Sequence, residues 1–259
     1  MFTRPEEVAD GVAAFIKTNV EKAHREGVVI GLSGGVDSAL AATLAVKALG
    51  KERVLGILLP ERDVTCTEDI EDAMQVAKML GIKHKTIDIA EIHTAFVSAL
   101  PDYDPNAKVC SGNLKARIRM CALYYYANLL NLLVIGTGNK TEILLGYTTK
   151  YGDSAADMLP LGGLYKTQVL ELAEHLGVSE RIIKKPPSAG LWKGQTDEKE
   201  LGISYELADS ILIKLTDEKK APADIKKELG ISEDGIGCIV KRVEKNKHKR
   251  EMTPIPTLD

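Results

Sequence analysis

The sequence predicts an α/β protein, a parallel twisted sheet with helices on both faces. Short β-branched runs alternate along the first half of the chain with stretches of helical period. The stretches between runs are long enough to serve as the helical crossovers that parallel strands need. Two of the runs end in small polar turns, and open parallel sheets bind ligands beyond the carboxyl ends of their strands.

Each element has its own signal. From Pro5 to about Arg25, Val8, Val12, Phe15, Ile16 and Val20 recur at spacings of three and four, as in an amphipathic helix covering one face of the sheet. "GVVIGLS" (27–33) is a strand, and "VDSALAATLAVKALG" (36–50) a helix with Gly50 placed to stop it. "RVLGILLP" (53–60) is a strand closed by proline, "EDIEDAMQVAKMLGI" (68–82) a helix and "HKTIDI" (84–89) a third strand. A long helical segment, "SGNLKARIRMCALYYYANLLN" (111–131), leads into the strand "LLVIGTG" (132–138). Beyond Thr141 the period is lost: 146–168 and 183–202 read as loops, and loops of that length inside a compact domain are usually functional. The last fifty-odd residues read as short helices ending in the basic run "KRVEKNKHKR" (241–250). The expected organisation is one domain over 1–259, with a core at 5–182 and a C-terminal helical part at 183–259.

Composition narrows the class. The chain has 259 residues, 44% hydrophobic and 27% charged, with a net charge of −3. Such a chain can bury a sizeable core, and its charge points to no nucleic-acid partner. The four cysteines, Cys66, Cys110, Cys121 and Cys238, form no Cys-x-x-Cys pair, so no zinc knuckle or iron–sulfur site is signalled. The N-terminus never reaches the apolar run of a signal or membrane span, which leads to the expectation of a cytoplasmic protein with no membrane partner.

The first small turn carries the chemistry. "VIGLSGGVDSALAA" (29–42) lacks the lysine of a Walker loop and the glycine spacing of a dinucleotide fingerprint. What remains is Ser33, Gly34 and Gly35 offering backbone N–H groups at a helix N-terminus, the hydroxyls of Ser33 and Ser38, and the carboxylate of Asp37. That nest suits a compact polyanion, and the carboxylate suits the magnesium that accompanies it.

"SGGVDS" resembles the pyrophosphate-binding loop of the ATP pyrophosphatases, the PP-loop enzymes of the adenine nucleotide alpha-hydrolase-like fold. These split ATP to AMP and pyrophosphate while activating a carboxylate or carbonyl. The loop is shared by GMP synthetases, asparagine and argininosuccinate synthetases and tRNA-thiolating enzymes. "NLKARIRM" (113–120), "GTGNKTE" (136–142), "TKYGDSAADMLPLGGLYKTQV" (149–169), "DEKELGISY" (197–205) and "HKREMTPIP" (248–256) together resemble NAD synthetase, in order and over nearly the whole chain. The chain departs from the common bacterial pattern at "GTGNKTE", where an aspartate and a histidine often follow the threonine, and at "PPSAGLW", where Pro-Thr-Ala-Asp is common.

The resemblance implies a ligase of NAD biosynthesis: deamido-NAD (nicotinic acid adenine dinucleotide), ATP and ammonia give NAD, AMP and pyrophosphate through an adenylated carboxylate. It places Gly31, Leu32, Ser33, Gly34, Gly35, Val36, Asp37 and Ser38 around the ATP phosphates. Thr137, Lys166 and Ser188 match further ATP contacts, and Asp37 and Glu142 match the magnesium pair. Arg117, Lys150, Asp157, His248 and Lys249 match deamido-NAD contacts. Lys166 would meet the charge developing on pyrophosphate; Asp153 and Asp157 are candidates to deprotonate ammonium, and 146–163 would close over the intermediate. The resemblance also implies a homodimer, with the helix bearing Tyr124, Tyr125 and Tyr126 at the interface. The synthetase-like pattern fills the chain, so free ammonia is the expected nitrogen source.

Plainer readings stand beside these. Alone, Glu142 is a first-turn acid complementing a helix dipole, and the tyrosine trio is packing. The basic run is by default a solvated helix end, and Trp192 has no role beyond packing. The rival functions are another enzyme of this loop class, a GMP synthetase module or a tRNA thiolase, and a non-catalytic adenine-nucleotide sensor.

Overall fold

The structure, a computed structural model, describes residues 4–231 and 233–257, with the side chains of 233 and 234 excepted. The outermost residues of the expected 1–259 domain, 1–3 and 258–259, lie outside that range. The first half runs α1 (Pro5–Lys22), β1 (Gly27–Gly31), α2 (Val36–Leu49), β2 (Val54–Leu58), α3 (Thr67–Leu80), β3 (Lys83–Thr86), α4 (Ala90–Ser98), α5 (Lys108–Leu130) and β4 (Leu132–Ile135). The second half is helical: α6 (Lys140–Leu145), α7 (Lys166–His175), α8 (Glu180–Ile183), α9 (Asp197–Leu201), α10 (Tyr205–Leu212), α11 (Pro222–Leu229) and α12 (Glu233–Lys245).

The four strands form one parallel sheet in the order β3-β2-β1-β4. β1 sits inside, with Ile30 facing Gly56 on one side and Ile135 on the other. Its Val28, Val29 and Ile30 are buried on both faces, which is why it reads as an unbroken apolar run rather than an alternating one. β3 lies at the edge; all its residues are exposed and two are lysines, a composition that discourages pairing with another chain.

Val28 and Ile30 point into a core shared with α1, α2 and α7, while Val29, Leu55 and Ile57 face α5 through Ile118 and Leu123. Helices therefore cover both faces. A third core gathers Leu145, Tyr165, Leu201, Tyr205, Ala208, Ile211, Leu212 and Ile239, where α10 packs on α6 and α7 and α12 on α6.

The boundaries differ from the sequence expectations where tertiary bonds intervene. The strand expected over 53–60 is β2, Val54–Leu58, and that expected over 132–138 stops at Ile135. The segment expected to be loop, 146–168, contributes a strand-like edge: Ile135 bridges Met158, Asp157 N–H donates to the Val134 carbonyl at 3.0 Å and Gly136 N–H to that of Met158 at 3.0 Å. It also holds the first turn of α7, and 183–202 contains the short α9. Such short helices show no lasting period in sequence. The four cysteines are free and exposed. Among the described residues no helix is long and apolar enough to cross a membrane.

Candidate active site

The chain leaves β1 for β2 and β3 on one side and returns to β4 on the other, so the strand order reverses between β1 and β4. The turns that follow these two neighbours open side by side, at the place where such sheets take ligands. In the first turn Gly34 has φ +81°, and a Cβ there would meet the Asp69 carbonyl oxygen at 2.2 Å, so only glycine fits. Gly35, extended at φ −93° and ψ 162°, caps α2 without a side-chain bond, leaving the first-turn amides of Val36, Asp37 and Ser38 without a carbonyl one turn back. Ser33 Oγ accepts from Gly35 N–H at 3.2 Å and lies 3.1 Å from Ser38 Oγ, which donates to the Gly35 carbonyl at 2.9 Å. Gly31 closes β1, and the buried Leu32 donates its N–H to Ile57, extending the ladder.

Asp37, in the first turn of α2, is the hub. Lys166 Nζ, from the first residue of α7, lies 2.5 Å from its Oδ2, and Asn139 Nδ2, from the turn after β4, donates to its Oδ1 at 2.9 Å. Asn139 also caps α6: its side chain accepts from Glu142 N–H at 3.0 Å, while Glu142 Oε2 accepts from Asn139 N–H at 3.2 Å. The magnesium pair expected from sequence, Asp37 and Glu142, is thus bridged by one asparagine. Burial raises the Glu142 carboxyl above its ordinary value, and Asp37's charge adds to it, with Lys166 pulling the other way. Lys166 is 2% exposed; burial pulls its ammonium down, but Asp37 and Glu142 outweigh that and leave it above its ordinary value.

Residues without a signal in the sequence hold this hub. Asp209 of α10 accepts from Thr141 Oγ1 at 2.5 Å and from Thr167 N–H at 2.8 Å, and Thr141 Oγ1 accepts from Lys166 N–H at 3.0 Å. The start of α7, and with it Lys166, is pinned to α6 and α10. Asp197 accepts from the Tyr147 and Tyr205 hydroxyls at 3.1 and 2.9 Å, and Lys166 Nζ sits 5.4 Å from the Tyr205 ring centroid. Asn139 alone could have been found, because Asn139 with Glu142 three residues on matches a capping box.

A second group forms around the loop after α6. Arg117 of α5 donates to the Lys150 carbonyl at 3.1 Å, Lys150 Nζ to the His248 carbonyl at 2.6 Å, and Lys249 Nζ to the carbonyls of Gly146 and Thr148 at 2.7 and 2.8 Å. Burial holds the Lys249 ammonium below its ordinary value, with Asp153's charge opposing. Asp153 Oδ1 accepts from Thr149 N–H at 2.7 Å, yet desolvation still raises its carboxyl. Asp157 stands apart, accepting from Val134 N–H at 2.7 Å and from the Tyr124 hydroxyl at 3.3 Å. Thr137 lies half-buried in the turn after β4. Ser188 is turned onto its own loop, donating to the Gln195 carbonyl at 2.8 Å, and Trp192 packs against Gly112 of α5.

The chain is similar to known proteins over nearly its whole length. A family model for NAD synthase matches residues 8–253. The chain is 53% identical over 253 residues to the NH(3)-dependent NAD(+) synthetase of Methanosarcina mazei, covering 98% of each chain. It is 51% identical over 256 residues to that of Methanocaldococcus jannaschii, covering 98% of this chain and 97% of the other. Among solved structures it is similar to an NMN synthetase from Francisella tularensis, with a TM-score of 0.88 and 39% identity over 100% of both chains. It is also similar to the NH3-dependent NAD synthetase of Campylobacter jejuni in complex with the nitrate ion, with a TM-score of 0.82 and 36% identity, over 98% of this chain and 99% of that one. The match spans the phosphate loop, the Asp37 hub and the basic segment at His248 and Lys249, and the chain belongs to the NAD synthase family.

Proposed function

We propose that this protein amidates deamido-NAD with ammonia at the expense of ATP, giving NAD, AMP and pyrophosphate through an adenylated pyridine carboxylate. The observation that carries the reading is Lys166 held against Asp37 beside an unpaired helix N-terminus, a cation and donors placed together where a triphosphate docks. The first-turn amides of α2 and the hydroxyls of Ser33 and Ser38 hold the phosphates. Lys166 passes from Asp37 to the charge that develops on leaving pyrophosphate, so its gain is largest in the transition state. No protein nucleophile is required, because the substrate's own carboxylate attacks the α-phosphorus and placement supplies the rate.

Asp37 and Glu142, whose carboxyl is raised by burial and then by Asp37's charge, are the hard oxygen donors that magnesium prefers. Among the described residues no group of three or more His, Cys, Asp or Glu is placed to hold a metal, which fits an ion that takes its remaining ligands from phosphate and water. Asp37 and Glu142 would hold it, and it would supply charge neutralisation to the triphosphate.

Arg117, Lys150 and His248 bind the dinucleotide, and Lys249, spent on two carbonyls, shapes the loop that faces it. Asp153 is the favoured base for ammonium, since burial raises its carboxyl, while the Asp157 carboxylate is occupied by Val134 N–H and the Tyr124 hydroxyl. Thr137 and Ser188 complete the ATP contacts. The homodimer is supported by α5, whose Tyr125 and Leu129 stand 62% and 60% exposed, too much apolar surface for a lone helix face. A monomer on ultracentrifugation would refute it. We place the enzyme in the cytoplasm.

The test is to supply ATP, magnesium and ammonium with deamido-NAD and, separately, with nicotinic acid mononucleotide, and to follow the amide, AMP and pyrophosphate. NAD with equimolar AMP supports the proposal. Turnover on the mononucleotide alone would favour the second reading, raised by the similarity to an NMN synthetase. AMP release without either pyridine substrate would point to another enzyme of this loop class, and ATP binding without turnover to a sensor.

A further inference from the structure

Lys185, just after α8, reaches the back of the phosphate loop. Its Nζ lies 2.7 Å from Asp69 Oδ1, 2.5 Å from Asp72 Oδ2 and 3.3 Å from the Gly34 carbonyl oxygen. An ammonium has three protons to donate, and here all three have acceptors. Lys185 therefore has no donor left for a phosphate, unlike Lys166, whose single strong partner is an acid in the mouth of the site. Asp72 is 1% exposed and also meets Arg181 Nε at 3.1 Å, so α8 and the residue just beyond it clamp the first turns of α3.

The Gly34 carbonyl belongs to the Gly34–Gly35 peptide, which has glycine on both sides. Rotation of that plane meets little steric resistance, because neither residue has a Cβ. In a trans peptide the carbonyl and the N–H point to opposite edges. Lys185 holds the carbonyl edge, and on the other edge Gly35 N–H donates to Ser33 Oγ, the edge that the phosphate-binding reading of the loop turns toward the anion. Behind the loop, Asp69, and Asp72 so far as Arg181 does not meet it, would otherwise set negative charge against an incoming polyanion.

We propose that Lys185 is a positioning residue for pyrophosphate: it orients the Gly34–Gly35 peptide and neutralises Asp69 and Asp72 behind the loop, without touching the phosphates. The inference rests on the phosphate-binding reading of the loop. Lys185 also ties that loop to the segment that continues through Pro186, Pro187 and Ser188.

The test is calorimetric binding of magnesium pyrophosphate and, separately, of AMP to the full chain, alongside NAD formation and thermal melting. In Lys185→Met pyrophosphate affinity falls about tenfold or more, the worth of one charge-assisted contact, and AMP affinity stays within about twofold. Adding Asp69→Asn recovers part of the loss, because it removes repulsion but not the freedom of the peptide. Lys185→Arg keeps the charge without the three-point geometry and gives an intermediate loss that also tests the idea should Lys185→Met fail to fold. Lys184→Met, at an exposed neighbour paired with Glu180, binds both ligands as the parent does. Equal weakening of pyrophosphate and AMP, or parent-like pyrophosphate binding in both Lys185 variants, overturns the proposal. Loss of NAD formation in the parent with the selective pyrophosphate effect intact would overturn the proposed function and leave this inference standing.

Discussion

Lys166 and Asp37 are 129 residues apart in the chain, yet the Lys166 ammonium lies 2.5 Å from the Asp37 carboxylate and joins the first turn of α7 to the first turn of α2. The cation that would serve the leaving group is stored on the acid that would serve the metal. Arrival of a triphosphate and a divalent ion would exchange both partners at once, the ammonium turning to phosphate and the carboxylate to the metal.

Replacing Lys166 with Met leaves Asp37 and Glu142 without their cation in a buried site. NAD formation falls by a factor on the order of 100 or more, since a donor aimed at developing charge is gone. Stability falls by about 3 kcal/mol, the cost of breaking a buried pair by removing one side. Steady-state rates and urea unfolding measure the two effects separately.

Gly34 and Gly35 respond differently to alanine. At Gly34 the new Cβ meets the Asp69 carbonyl at 2.2 Å with φ at +81°, whereas at Gly35 the nearest atom is Ser33 Oγ at 3.4 Å and φ is negative. Gly34→Ala abolishes pyrophosphate binding and lowers the melting temperature; Gly35→Ala retains binding within about tenfold, an ordinary contact being all that is added. Similar losses in both would show that the left-handed turn does not shape the site.

Asn139 caps α6 and ties Glu142 to Asp37, with no exposure of its own. Asn139→Ala costs about 1–2 kcal/mol from the lost cap. It also raises the magnesium concentration needed for half-maximal rate, a readout that cap loss alone would leave unchanged.

Asp88 sets a pH dependence of stability remote from the site. Its Oδ1 accepts from Ala90 N–H at 2.9 Å and from Arg62 N–H at 3.1 Å, and its Oδ2 from Arg62 Nε at 3.0 Å. The Ala90 bond above all holds its carboxyl below the ordinary value; burial opposes it, and the bonds and charge of Arg62 add to the lowering. The folded state therefore binds fewer protons than the unfolded one, and the contribution is present above the unfolded carboxylate value of about 3.9 and lost as pH falls through the folded value. Asp88→Ala is less stable than the parent by about 1 kcal/mol at pH 7, and the gap closes at acid pH below both values. A gap that persists at low pH would assign the bonds to packing rather than charge.

Much of the fold was legible because its signals are local. The β-branched run at 27–31, the glycines of 34 and 35 and the helix that follows need only neighbouring residues to be read, and Gly50, read as the stop of that helix, does cap α2. The short α9 was not legible, since its few residues carry no period and are fixed by packing against Tyr205, and of α6 only the first-turn acid Glu142 was read. The basic run at 241–250 shows the limit most plainly. Sequence counts its charges, but only the structure reveals that Lys249 donates to the carbonyls of Gly146 and Thr148, and Arg250 to those of Leu144 and Val243.

By itself the sequence determined a parallel α/β sheet and a phosphate-type turn after its first strand. These follow from hydrophobic period, glycine geometry and charge, which act over a few residues. The tertiary structure decided which acid meets which base. Reversal of strand order between β1 and β4 sets Asn139 beside Asp37, α7 delivers Lys166 to the same carboxylate, and α8 sends Lys185 behind the loop. Contacts across a hundred residues depend on the order in which strands and helices pack, and that order is a property of the whole core rather than of any stretch of chain.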